Sequence, residues 1–131
     1  MSESKDLHEV YRGYIDMLNS REFHRMDEFA HEQLTFNSEP VSRDDYVAAI
    51  EGHMAAVEGF VWRLDDLVIE GDRVAARLTD TGTPVAEWLG LQPTGRSVEF
   101  NEYAFYRFRD GRFDDMWYLL DAQKIQGQLE G

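Results

Sequence analysis

The chain of 131 residues is long enough for one domain with a real core and too short for two. Its 26 acidic residues against 13 basic ones give a formal charge of -13, which repels a phosphate backbone and an anionic membrane alike. Nucleic acid and membranes are therefore excluded as partners, and the absence of cysteine excludes disulfides, thiolate metal sites and a cysteine nucleophile.

Residues Ser4 to Asn19 set Leu7, Val10, Tyr11, Tyr14, Ile15 and Leu18 at three- and four-residue spacing, which predicts an amphipathic helix with Ser4 as its cap. The polar start before it carries no apolar signal region, and no apolar run reaches the length of a bilayer, so a cytoplasmic location is expected. A shorter helix is predicted from His24 to His31, then a short strand from Gln33 to Phe36. Ser42 opens a third helix through Tyr46, Val47, Ile50, Met54 and Val57, with Asp45 at its positive end and Gly59 as its stop. From Phe60 the apolar period changes to two. Strands are predicted for Phe60 to Glu70 and Arg73 to Thr83 around the turn Gly71-Asp72, then for Ser97 to Phe108 and Phe113 to Leu120 around Asp110-Gly111. A loop from Pro84 to Gly95 carries Trp88, Leu89 and Leu91, and a short amphipathic tail ends the chain. Three helices before four substantial antiparallel strands read as an α+β fold in one domain over 1–131, with a curved antiparallel sheet and the helices packed on its concave face.

Three segments carry a family signature: Val68 to Ala75 (VIEGDRVA), Leu89 to Phe100 (LGLQPTGRSVEF) and Phe105 to Arg112 (FYRFRDGR). With the tail from Trp117 through Asp121 to Leu129, they keep order and spacing over roughly residues 5 to 130, and in this the chain resembles the SnoaL-like polyketide cyclases. The resemblance implies the cone-shaped, cystatin-like fold of nuclear transport factor 2-like proteins, with a curved sheet and three helices around a pocket. It also implies a homodimer through the sheet's outer face, chemistry without cofactor or metal, and a small hydrophobic molecule as ligand. In such cyclases a carboxylate after the last tryptophan strand is the general acid/base of an aldol closure, a position that falls on Asp121. The chain departs from the pattern at Pro84, where many relatives carry a histidine, and at Ala104, where a polar residue is common.

Asp121 is thus the candidate catalytic residue, since burial in an apolar pocket would raise its pKa toward that of a base useful at neutral pH. The competing structural role is an N-cap on the last helix, although Lys124 stands where a full capping box would have Glu or Gln. Candidate pocket residues are Asn37, a hydrogen-bond donor to a carbonyl or else a turn residue; His53, beside the stripe Tyr46, Ile50 and Val57, a ligand contact or else a buried neutral histidine bonded to a backbone carbonyl; and Tyr14, a pocket hydroxyl on the first helix or else a core residue. Trp88 is a rim or lid residue, or else buried, and Trp117 shares its parity with Leu119 and Asp121. Asn101 and Tyr103 on the long strand, with Trp117, complete the candidate pocket residues. Asn101 and Tyr103 share one face while Glu102 and Tyr106 share the other, and both faces carry aromatics, so the pattern leaves the concave face open. Histidines at 8, 24, 31 and 53 have neither HxH nor HExxH spacing, so no zinc site is expected. Two functions remain: a cofactor-independent cyclase, isomerase or lyase, and a non-catalytic protein of the same fold that binds a small molecule or serves as a dimeric accessory domain.

Overall fold

The computed structural model describes residues 6–130. Helix α1 (Leu7–Ser20) turns Tyr11, Tyr14, Ile15, Met17 and Leu18 to the core, as their spacing requires. Its cap is Asp6, whose side chain accepts from the His8 amide; Ser4 lies outside the described residues. A single 3-10 turn at Phe23–Glu28 stands where a second α-helix was expected. Strands β1 (Ala30–Phe36) and β2 (Glu39–Ser42) follow, then α2 (Arg43–Ala56), capped by the Ser42 hydroxyl on the Asp45 amide. Helix α2 ends earlier than Gly59 because Val57, sealed in the core, already pairs with Pro84 in a sheet. Gly59 instead takes φ 66 where the sheet register slips.

The long strands are β3 (Val57–Glu70), β4 (Arg73–Pro84), β5 (Val98–Arg109) and β6 (Arg112–Leu120), and α3 (Ala122–Glu130) closes the described chain. The six strands form one sheet in the order β2-β1-β6-β5-β4-β3. The sheet is mixed rather than wholly antiparallel, because β1 runs parallel to β6, with Thr35 opposite Asp115 and Phe36 opposite Met116. Two helices and the 3-10 turn precede the long strands, and α1 and α2 both contact the sheet. Asp110 (φ 55) and Gly111 (φ 79) give the β5-β6 hairpin the doubly left-handed turn that matches strand twist.

Burial decides which face is concave. Along β5 the even residues Val98, Phe100, Glu102, Ala104, Tyr106 and Phe108 are buried, and on β4 so are Val74, Ala76, Leu78 and Asp80. In β6 the irregularity against β5 changes parity, so Phe113 and Met116 both point inward and Trp117 points out. Gly82 allows β3 and β4 to approach closely: a Cβ there would lie 2.5 Å from Val57 Cγ1. Fully buried aromatics such as Phe100 and Phe113 contribute about 2 kcal/mol each by removal from water.

Candidate active site

Helices α1 and α2 do not fill the concave face, and a cavity of about 120 Å³ remains between them and the sheet. Its wall is almost wholly apolar and aromatic, with Ile15, Phe60, Trp62, Trp88 and Tyr118 among the lining residues. Polar groups interrupt that wall, among them two hydrogen-bonded pairs of tyrosine hydroxyls, the Glu102 carboxyl and the His53 imidazole.

Glu102 projects from the middle of β5 with 8% exposure, and Asp80 of β4 lies behind it with none. Both Asp80 carboxyl oxygens are buried with no hydrogen-bond partner among the described residues. No hydrogen bond of normal geometry joins the two carboxyls, yet they are close enough to act on each other's protons. Burial, and then the neighbouring Glu102, push the Asp80 carboxyl far above the carboxylate range. Burial also raises Glu102, while its contact with Asp80 pulls the other way. Two carboxylates side by side in an apolar interior cannot both ionise at modest cost. The pair therefore holds at least one proton at neutral pH, kept chiefly on Asp80, and Glu102 is the member that meets the cavity.

The tyrosine hydroxyls are hydrogen-bonded in two pairs. Tyr46 donates to Met116 Sδ (3.1 Å), so its oxygen is the acceptor for the Tyr14 hydroxyl at 2.6 Å. Both of those protons are thereby committed, and Tyr14 lines the cavity as an acceptor. Tyr11 and Tyr106 face each other at 3.2 Å, where one donates and the other keeps its proton. Burial holds all four phenols well above their usual pKa, so they stay protonated.

His53, from the last turn of α2, also lines the cavity and accepts at Nδ1 the indole N–H of Trp88 at 2.9 Å. Trp88 is buried in the loop between β4 and β5, its ring against Phe60 and Phe100. Burial lowers the pKa of His53, which favours the neutral imidazole.

Of the residues singled out in the sequence, Tyr14, His53 and Trp88 meet at this cavity and the others do not. Asp121 is exposed and its Oδ1 accepts from the Lys124 amide at 3.1 Å: it is the N-cap of α3, the alternative role weighed for it. Asn37 sits in the β1-β2 turn at φ 49, and its side-chain amide pairs with both backbone groups of Tyr118, substituting for a strand residue beside β6. Asn101, on the convex face, donates to the Leu78 carbonyl and to Thr79 Oγ1, both at 3.3 Å. Tyr103 and Trp117 lie on the same outer face, each 47% exposed. The odd residues of β5 face outward, and the parity change in β6 turns Trp117 away from the pocket.

Asp80 was not among the sequence candidates, and Glu102 was named only for the strand face that it shares with Tyr106. The signal was there: each is a charged residue in phase with a strand's apolar set, which is the unusual place for a charge. Among the described residues no group of three or more His, Asp or Glu is placed to hold a metal ion.

The model of the SnoaL-like polyketide cyclase family matches residues 8–129. The chain is also similar in structure to a SnoaL-like polyketide cyclase from Agrobacterium tumefaciens, at 28% identity and TM-score 0.91 over 96% of this chain and 99% of that one. TsrD from Streptomyces laurentii matches at 25% identity and TM-score 0.86, covering 98% of each chain. IdmH from Streptomyces antibioticus, at 23% identity and TM-score 0.86 over 96% and 99%, shares the fold. No curated protein matches the chain in sequence.

Proposed function

The chain belongs to the SnoaL-like polyketide cyclase family, and from that premise we propose that it is a cofactor-independent cyclase, or a related isomerase or lyase, that acts by acid/base chemistry on a small hydrophobic carbonyl compound. The superfamily is one of cofactor-independent cyclase and isomerase chemistry on small hydrophobic substrates. The observation that carries the reading is Glu102, a buried carboxyl with a raised pKa in the wall of an apolar cavity. A base of that kind takes a proton from carbon next to a carbonyl; the enolate then attacks a second carbonyl of the same molecule, and the proton passes from Glu102 to the new alkoxide. In an isomerisation the same proton returns to a different carbon. Protonated Asp80 removes its own charge from the site and leaves Glu102 as the group that exchanges protons with the cavity.

In this reading the acid/base role that the resemblance assigns to Asp121 passes to Glu102, because Asp121 is exposed and bound to the α3 backbone. Tyr14 and the Tyr11–Tyr106 pair serve as polar walls that orient the substrate. The protein acts as a cytoplasmic homodimer formed through the convex face, which is supported by the exposed apolar side chains of Tyr103, Phe105, Trp117 and Leu119.

The test is deuterium incorporation at the methyl carbon of acetophenone in heavy water. Wild-type protein accelerates the exchange and Glu102→Gln does not. The second reading, a non-catalytic pocket protein of the same fold, is favoured by the position of Asp121 outside the cavity. It prevails if the wild-type protein accelerates no exchange with acetophenone or related small ketones.

A further inference from the structure

The loop between β4 and β5 carries one side chain into the core, and it is held unusually firmly. Trp88 and Leu91 exchange two backbone hydrogen bonds of 2.9 Å around a tight turn, with Leu89 at φ 55 and Gly90 at φ 75. The start of the loop is tied to the end of α2 by Val85 N–H to the Ala56 carbonyl, 2.8 Å. The Trp88 ring packs against Phe60 and Phe100 with 4% exposure. Its indole nitrogen is a donor only, so the 2.9 Å contact obliges His53 Nδ1 to accept. In a neutral imidazole the ring proton must then sit on Nε2, and that nitrogen has no protein partner among the described residues. His53 and Glu102 both line the cavity, so a fixed N–H donor and a carboxyl belong to the same apolar wall.

We propose that Trp88 is a positioning residue that locks His53 as the Nε2–H tautomer, and that this N–H is the donor for the carbonyl oxygen of a ligand in the cavity. The inference rests on the carbonyl-compound reading above and adds the group that recognises the oxygen. It defines the ligand as an apolar molecule with one hydrogen-bond-accepting oxygen at the His53 end. A neutral donor suits that task, because it can strengthen its bond as charge grows on the oxygen without giving up its proton beforehand.

Two measurements test it. NMR of the labelled imidazole nitrogens in the unliganded protein is expected to show His53 protonated at Nε2 alone, and Trp88→Phe, which keeps an aromatic ring and removes the N–H, is expected to give a mixture of tautomers. Binding of acetophenone is then compared with that of ethylbenzene, which has the same shape without the oxygen. Wild type prefers the ketone, and His53→Phe lowers that preference about two- to tenfold, the range of one neutral hydrogen bond. His53→Gln, which keeps an N–H donor, restores part of it. Thermal melts confirm that each variant is folded. An Nδ1–H imidazole in the wild type, equal losses for both ligands in His53→Phe, or no wild-type preference for acetophenone overturns the proposal. Failure of the acid/base reading is separate: it shows as Glu102→Gln retaining the exchange reaction, with the His53 tautomer unchanged.

Discussion

Asp80 and Glu102 lie diagonally across β4 and β5, one sealed from solvent and the other open to the cavity. Leu78 pairs with Glu102 and Asp80 with Phe100, so the two carboxyls share the concave face one step apart along adjacent strands. A sealed acid behind an accessible one is a costly arrangement for stability, and it leads to the first prediction.

Both carboxyls have raised pKa values in the folded protein. The unfolded chain releases these protons near the ordinary carboxylate pKa of about 4, while the folded chain still holds them. Over that interval the folded state binds more protons, so this pair makes stability fall as pH rises. Asp80→Asn removes most of that slope and raises stability at neutral pH by roughly 1–2 kcal/mol. Melting temperatures of both proteins between pH 5 and 8 (~three points suffice) check it; parallel curves would refute it.

Glu102→Gln is expected to lower the exchange rate by about two to four orders of magnitude, the usual contribution of a general base. The wild-type rate should rise with pH through a midpoint above the ordinary glutamate value, because burial raises the Glu102 carboxyl. Asp121→Asn should leave that rate within about twofold of wild type, since Asn also caps helices well.

Asn37 bridges both backbone groups of Tyr118, at 2.8 and 3.2 Å. Asn37→Ala removes both bonds and places a poor residue at φ 49, so it should cost about 1–3 kcal/mol in denaturant unfolding. Asn37→Gly, which tolerates the backbone, should cost less. Equal losses would mean that the backbone angle does not contribute.

On the convex face Phe105 stands opposite Trp117 and Tyr103 opposite Leu119, which makes one continuous apolar patch across β5 and β6. Sedimentation should give a dimer for the wild type and a monomer for Phe105→Glu combined with Leu119→Glu. A wild-type monomer at tens of micromolar (~the usual working range for a weak dimer) would refute the interface.

Much of the fold was legible along the chain. Helix α1, helix α2 with its Ser42 cap, and the long strands with their Gly71-Asp72 and Asp110-Gly111 turns all follow from local spacing and turn chemistry. The second helix is shorter than its spacing predicts: a 3-10 helix at Phe23–Glu28 gives way to β1, because Ala30 already pairs with Phe113 of β6 and His31 is buried in the strand. The parallel β1–β6 pair left no mark either, since its partners are some eighty residues apart, as with Asn37 and Tyr118.

The site was less legible for a similar reason. Period two says that Glu102 and Tyr106 share a face, and that Asn101 and Tyr103 share the other. It does not say which face the helices cover when aromatics occupy both. Once α1 and α2 lie on the even face, Glu102 and Asp80 become interior groups, and Tyr103 and Trp117 become surface. Local sequence by itself determined the elements, the turns and the family to which the chain belongs, because spacing, caps and turn residues act over a few positions. Only the tertiary structure decided which carboxyl meets the cavity, because burial and the resulting pKa depend on what distant segments place around a side chain.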